Sequence, residues 1–453
     1  METLAFVHEG LGNSSYLAQV AADAAVLIDP DRSARRYLEA AEARGWHVLG
    51  VLDTHLHADF VTGSLEVRHA TGASLHLPAE AGAGFVHHGV RPGERIGLGD
   101  AEIEVIASPG HTPEHLSYAV REDTAPLRLF SGGALIVGGA ARTDLMAPEL
   151  TEVLTRAQFH TLHEAFAGLP DETELLPTHG GGSFCSVASG ARRTSTLGEE
   201  RRANPLLAHH EEEEFVRWFP STFPAVPAYF SRMRGVNQAG PTLREAIADP
   251  PRLDPDSFDA ARERGALVID ARSRRKYAAG HIPGALSIPF RDSFATWVGW
   301  LVPPETSLLF VADRAPIGEV VDQCLLVGYE RFAGLLDGGI AAWEAAGRPV
   351  VTIAFAGPAE IERAILGGAI AVDVREPDEF AEGHLEGAVH IPLGQLADRV
   401  GELPAGRAVV AYCAAGDRAS TAASILERAG VGTVINLDGG ADGWRDEGYQ
   451  LIA

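Results

Sequence analysis

Ala411-Tyr412-Cys413-Ala414-Ala415-Gly416-Asp417-Arg418-Ala419-Ser420 sets a lone thiol between an apolar run and a helix-forming stretch. The run Ala408-Val409-Val410-Ala411-Tyr412 reads as a short strand covered on both faces. A cysteine at the mouth of such a strand, followed by small residues, Gly416 and Arg418, can be cradled by backbone N–H groups. The start of the next helix and the Arg418 charge favour an anion at the same point. That arrangement suits a thiolate that accepts a sulfur atom and passes it on. A buried structural cysteine would leave Gly416 and Arg418 without a role.

Upstream stand Asp373-Val374-Arg375-Glu376, then Gly383-His384-Leu385-Glu386-Gly387-Ala388 and Ile391-Pro392. Downstream stand Leu437-Asp438-Gly439-Gly440 and Trp444. In this order the motifs resemble the rhodanese (sulfurtransferase) domain over nearly all of residues 355–453. The resemblance implies that Cys413 carries a persulfide and that Arg418 helps to bind an anionic donor. It implies that Ala414, Ala415, Gly416 and Asp417 line the donor site. Asp373 and Arg375 are expected in the same site, more as a brace than as reacting groups.

The pattern occurs twice. Asp270 precedes Asp373, His281 precedes His384 and Pro289 precedes Pro392, each by 103 residues. Gly338-Gly339 and Trp343 precede Gly439-Gly440 and Trp444 by 101. Carried back by 101, Cys413 falls on Ala312, within Phe310-Val311-Ala312-Asp313-Arg314-Ala315-Pro316-Ile317. That stretch has no thiol, and Pro316 removes a donor from any amide cradle. The first unit is therefore expected to be inert, with a role in packing and orientation. Cys324 falls inside the helix-like segment that follows and reads as core.

With 453 residues the chain is long enough for about two to four domains. The sequence divides it at 1–205, 206–255, 256–352 and 353–453, the second segment being a helical extension and Pro-rich linker. A net charge of −25 argues against nucleic acid and anionic membranes as partners. No apolar run approaches a membrane span, and the acidic N-terminus lacks the charge pattern of a signal peptide. Three cysteines make no disulfide framework. A cytoplasmic location is the resulting expectation.

Residues 1–190 carry other chemistry. The buried-strand pattern Val48-Leu49-Gly50-Val51-Leu52-Asp53 runs into Thr54-His55-Leu56-His57-Ala58-Asp59-Phe60. Ser108-Pro109-Gly110-His111-Thr112-Pro113-Glu114-His115, Phe130-Ser131-Gly132-Gly133 and Pro177-Thr178-His179-Gly180-Gly181 follow. Imidazoles gathered on loops at one edge of a sheet make up Zn or Fe sites. The pattern resembles the metallo-β-lactamase superfamily and, within it, the persulfide dioxygenase and glyoxalase II branch. The expected fold is an α/β multidomain chain, an αββα sandwich followed by two rhodanese-like parallel α/β domains. The stretch from Gly133 to Asp144 resembles the dioxygenases in particular, which implies that Arg142 binds a glutathione carboxylate.

Two residues depart from that family's pattern. Phe60 stands where the His-x-His-x-Asp-His motif has its last His, and Gly133 where the family has a bridging Asp. The resemblance implies an Fe(II) site of two His and that missing Asp. What remains is His55, His57, His111, Asp59 and His179. The three histidines His55, His57 and His111 suit one ion with an open position, Zn(II) more than redox-active Fe(II). Asp59 and His179 make a poor second site. His115 reads as a partner that orients a ligand histidine, Cys185 as structural, and His209-His210 as a solvated helix face.

Three readings follow. The chain is a sulfur-metabolism enzyme that couples a persulfide dioxygenase-like metalloprotein to transfer through Cys413. Alternatively it is a sulfurtransferase on a metal-free lactamase-like scaffold, or a zinc thioester hydrolase of glyoxalase II type. The expected partners are small-molecule thiols, persulfides and thiosulfate, and the resemblance to the lactamase branch adds a homodimer.

Overall fold

The computed structural model describes residues 2–121, 126–187, 192–313 and 316–452. Arg314 and Ala315, in the thiol-less counterpart of the cysteine loop, lie outside the described residues. The chain forms two compact units: residues 1–247 with 322–328, and residues 248–321 with 329–453. Among the described residues no helix is long and apolar enough to cross a membrane.

In the first unit six strands form one sheet in sequence order: β1 (Thr3–His8), β2 (Asn13–Ala21), β3 (Ala24–Ile28), β4 (His47–Leu52), β5 (Ser74–Pro78) and β6 (His88–Val90). A second sheet holds β7 (Arg95–Leu98), β8 (Ala101–Ala107), β9 (Leu116–Arg121), β10 (Arg128–Gly132), β11 (Glu174–Pro177) and β12 (Ser195–Thr196), in the order β12-β11-β10-β9-β8-β7. Side chains alternate across each strand. Tyr16, Ala18 and Val20 of β2 therefore meet Ile103, Val105, Tyr118 and Phe130 between the sheets. Leu17, on the other face of β2, packs with Tyr37 of α1 (Ala34–Glu42) and Val67 of α2 (Ser64–Thr71). Leu129 and Leu175 pack outward against Phe159 of α3 (Thr151–His160) and Phe215 of α4 (Glu212–Trp218). The result is the expected αββα sandwich.

The segment 206–255 is helical in part, as expected, and several of its residues reach into the core and the site wall. Phe215 and Phe219 are fully buried with Phe159. On α5 (Phe230–Ala239), Asn237 is buried and donates to the carbonyls of His57 and Phe60, both at 2.8 Å, while its oxygen accepts from Thr62 N (2.9 Å). Charged and proline-rich composition concealed these anchors, which lie among residues that are mostly half-buried or exposed.

The second unit contains two five-stranded sheets of one topology. The first has β13 (Arg252–Leu253), β14 (Leu267–Asp270), β15 (Leu286–Ser287), β16 (Leu308–Val311) and β17 (Phe332–Leu336), in the order β13-β17-β16-β14-β15. The other has β18 (Ala354–Ala356), β19 (Ile370–Asp373), β20 (Val389–His390), β21 (Val409–Tyr412) and β22 (Val434–Leu437), in the order β18-β22-β21-β19-β20. All pairs in both sheets are parallel. Central strands such as Leu308–Val311 and Val409–Tyr412 are buried along their whole length, as continuous apolar runs require. Cys413 leaves the end of β21 and leads into α7 (Asp417–Arg428).

Candidate functional site

Three strand ends of the sandwich bring the histidines together. His55 and His57 follow β4, His111 follows β8 and His179 follows β11. The nitrogens of His55, His111 and His179 lie within 4.8 Å of one another, and all three rings are buried. His111 Nδ1 donates to the Arg142 carbonyl (2.6 Å), which fixes the tautomer and turns the Nε2 lone pair inward. That Nε2 is buried and has no hydrogen-bond partner. His179 Nε2 lies 3.4 Å from His55 Nε2, and its Nδ1 lies 3.0 Å from Asn13 Oδ1. His55 Nδ1 lies 2.8 Å from Thr54 Oγ1.

His179, not His57, is thus the third member of the group. The cause is Gly133. A Cβ there would stand 2.8 Å from Ala141 Cβ, 3.0 Å from His111 Cδ2 and 3.1 Å from His179 Cδ2. The rings of His111 and His179 close around the point where a larger side chain would start. His57 instead stacks on Phe60, with ring centroids 4.2 Å apart, and sets Nε2 3.2 Å from Asp29 Oδ1. Phe60 is fully buried, so an apolar ring occupies what the motif gives to a ligand.

The electrostatics separate the rings. Burial, followed by the neighbouring imidazoles, pushes His55 well below the usual histidine range. Burial and His179 hold His111 down at about 3. Both are neutral ligand-type imidazoles at neutral pH. Burial also opposes charge on His57, yet Asp29 raises its pKa. His57 therefore belongs with the carboxylates. Asp59 is buried too, and His179 and the Asn13 amide (2.7 Å) hold it at about 2.

His115 lies behind the group and is hydrogen-bonded to loop atoms. Its Nε2 accepts from Gly133 N (3.0 Å), its Nδ1 lies 2.9 Å from Ser108 Oγ, and its ring stacks on His55 at 4.8 Å. Arg142 departs from expectation. Its guanidinium is 2% exposed and donates to Asp144 and to the carbonyls of Phe184 and Pro224. These bonds tie the site wall together and present no free face to a carboxylate. Cys185 is buried, and burial pushes its thiol well up.

Sequence reasoning missed Asn13, Asp29 and Asn237. Asp29 accepts from Thr54 N (2.7 Å) and Thr54 Oγ1 (2.8 Å) and holds φ of +46°, a conformation few side chains adopt. The polar break Asp29-Pro30 after an apolar strand is the one signal that points to it.

These donors fit one divalent ion on three imidazoles with an open fourth position. No carboxylate comes from the position of Gly133, where a Cβ would already crowd Ala141 and His111, while His57, Asp59 and His179 form a second buried group whose ligand atoms also lie within 4.8 Å of one another.

The second site is the loop after β21. Gly416 N donates to Cys413 Sγ (3.0 Å), and the sulfur-bearing residue is 2% exposed. Ala441 N donates to the Cys413 carbonyl (2.8 Å) and Asp442 N to the Ala414 carbonyl (3.0 Å). Both donors belong to α8 (Gly440–Asp446). Gly440 must be glycine, because a Cβ there would sit 2.2 Å from the Cys413 carbonyl oxygen. Arg418 gives both outer nitrogens to Glu379, each at 2.6 Å. The Asp417 carboxylate lies 2.7 Å from Arg291 and 3.4 Å from Arg274. Asp373 and Arg375 form a buried pair (2.6 Å), and Arg375 also donates to the Gly383 carbonyl (2.7 Å). They lie beneath the loop and hold the chain that precedes the Gly383-His384 turn.

A rhodanese-like domain family matches residues 254–346 and 358–447. The mitochondrial persulfide dioxygenase ETHE1 of Homo sapiens is 32% identical over 195 residues, 43% of this chain and 70% of that one. A hydroxyacylglutathione hydrolase of Rhodospirillum rubrum is 36% identical over 244 residues, 49% of this chain and 92% of its own length. The crystal structure of a metallo-β-lactamase from Staphylococcus aureus subsp. aureus COL superposes with a TM-score of 0.66 at 28% identity. It covers 74% of this chain and 98% of that one, more of this chain than the first unit holds.

Proposed function

We propose, from the premise that this chain belongs to the persulfide dioxygenase family of the metallo-β-lactamase fold and carries two rhodanese-like domains behind it, that it is a sulfur-metabolism enzyme whose transfer step runs through Cys413. The observation that carries this reading is the Gly416 N–H donating to Cys413 Sγ at the mouth of a buried strand. The Cys413 thiolate attacks the sulfane sulfur of a persulfide or thiosulfate. The S–S bond breaks, and its electron pair leaves with the thiolate or sulfite. Cys413 then holds a persulfide, and an acceptor thiolate takes the terminal sulfur and restores it. The loop N–H groups carry the negative charge on either sulfur, and the Glu379 ion pair holds Arg418 in place beside them.

The first unit contributes a candidate metal site at the strand ends of the metallo-β-lactamase fold. A divalent ion on His55, His111 and His179 would supply a Lewis acid and a bound water of lowered pKa. His111 and His179 are oriented for it by the Arg142 carbonyl and by Asn13. Imidazole suits zinc and iron alike, and the absence of a carboxylate at Gly133 is what makes zinc the ion this reading assigns. The thioester chemistry of the related hydrolases is the second reading, favoured by the missing carboxylate at Gly133. Sulfur compounds of low molecular weight, among them glutathione persulfide, are the substrates this reading assigns to the whole chain.

Cys413→Ser tests the transfer step. Sulfur transfer from thiosulfate is expected to vanish while the unfolding midpoint stays within about 1 kcal/mol of wild type. Transfer that survives the substitution would sink the reading. Metal content separates the two readings of the first unit. Protein isolated anaerobically from cells supplied with both metals should carry about one zinc per chain, and His179→Ala should lose it. One iron per chain, retained in His179→Ala, would restore the oxygenase chemistry.

A further inference from the structure

The thiol-less rhodanese unit reaches the cysteine loop of the other. Three successive carbonyls leave that loop. Those of Cys413 and Ala414 are held by Ala441 N and Asp442 N of the same domain. The third, that of Ala415, accepts from Nη1 of Arg274, the first residue of α6 (Arg274–Ala279) in the thiol-less unit. The same nitrogen lies 3.4 Å from Asp417 Oδ1, and Arg291 of the thiol-less unit takes Asp417 Oδ2 at 2.7 Å. With all three carbonyls tied, the loop is held in the conformation in which Gly416 N donates to Sγ (3.0 Å). Gly416 has φ of +103°, and a Cβ on it would stand 2.7 Å from Arg274 Nη1, so loop and guanidinium are fitted to each other.

The helix that carries the loop is docked on the same partner. In α7, Ser420 Oγ lies 3.0 Å from Ser287 Oγ, Ser424 Oγ accepts from Ser287 N (3.1 Å), and Glu427 meets His281 Nε2 (2.8 Å). Ala423 of α7 belongs to the core of the thiol-less unit, with Phe258, Tyr277 and Trp343. Arg274 therefore sits on a fixed base and does not merely graze the loop.

We propose that Arg274 is a positioning residue for sulfur transfer at Cys413, completing the loop's amide cradle from the neighbouring domain. The thiol-less unit then stays in the chain because the active loop is incomplete without it. This inference rests on Cys413 being the transfer residue.

The test uses the full-length chain, with thiosulfate as donor and cyanide as acceptor. The sulfane sulfur leaves as thiocyanate and the donor as sulfite. Arg274→Ala is expected to lower kcat/KM by about tenfold or more, the loss of one preorganised contact to a transition-state anion. The pH profile of Cys413 alkylation by iodoacetamide should move to higher pH in the same variant. Arg274→Lys, which keeps a donor and a charge, should recover part of both. Adding Asp417→Asn to Arg274→Ala should not restore the rate. Full restoration would mean that charge balance at Asp417 alone matters, and would overturn the carbonyl tie. Unchanged kinetics and an unchanged alkylation profile in Arg274→Ala would overturn the whole inference. Should Arg274→Ala fail to fold, Arg274→Met, which keeps an unbranched side chain and removes every donor, gives the same readings. Cys413→Ser runs alongside: if it retains transfer, the functional reading fails. If it abolishes transfer while the Arg274 variants match wild type, only this inference fails.

Discussion

The two rhodanese-like units share a sheet topology and a set of buried contacts, and they differ at the loop. In one, Arg272 pairs with Asp270 (2.6 Å) and donates to the Gly280 carbonyl (2.8 Å). In the other, Arg375 pairs with Asp373 (2.6 Å) and donates to the Gly383 carbonyl (2.7 Å). His281 stacks on Tyr277 and His384 on Phe380, both at 3.8 Å. Trp343 and Trp444 each donate an indole N–H to a carbonyl six residues on, at 2.9 and 3.1 Å. A unit without a thiol has no catalytic use for its Asp-Arg pair, so the pair belongs to the architecture. What separates the units is the stretch Cys413–Arg418.

The comparison breaks most visibly at the brace. Removing one partner of a buried ion pair leaves the other charge uncompensated, at a cost of about 3–5 kcal/mol. Asp270→Ala and Asp373→Ala should destabilise the second unit by similar amounts, read from denaturant midpoints. Folded protein of either variant should keep its kcat. Loss of kcat in folded Asp373→Ala protein alone would make that carboxylate part of the reaction and end the equivalence.

The sequence showed this repeat because its motifs are turn residues and buried pairs at fixed spacing, and such constraints do not tolerate drift. The cysteine loop was legible for the same reason. The metal centre was read less well. His55 and His57 are adjacent in sequence, so they read as one ligand pair. Whether two neighbouring rings share an ion depends on what else fills the space. Gly133 lets His179 close on His111, and Phe60 with Asp29 draws His57 away. These effects depend on how rings and carboxylates pack in space, Asp29 lying 28 positions from His57, and on the missing side chain at Gly133. Arg274 was invisible for a similar reason, since its contact to Ala415 spans 141 residues and no motif marks it.

The smallest expected effect is a gain that does not come. Ala312→Cys, made in a Cys413→Ser background, restores the missing thiol to the first unit. Transfer should remain absent, because the loops differ at five further positions, three of which bear directly on the sulfur. Asp313 stands where the other loop has Ala414, and its carboxylate, paired with Lys276, adds negative charge beside the new sulfur. Pro316 stands at the position of Asp417 and has no N–H to give. Ile317 stands at the position of Arg418, so no guanidinium lies close to the sulfur at that point. A thiol with a nearby carboxylate and fewer donors is a poor thiolate and a poor persulfide carrier. Thiocyanate production from thiosulfate and cyanide is the measurement, with iodoacetamide alkylation confirming that the new cysteine is reachable. Measurable transfer would reduce the difference between the units to a single sulfur atom. Its absence would place the difference in the amides and charges that surround the sulfur.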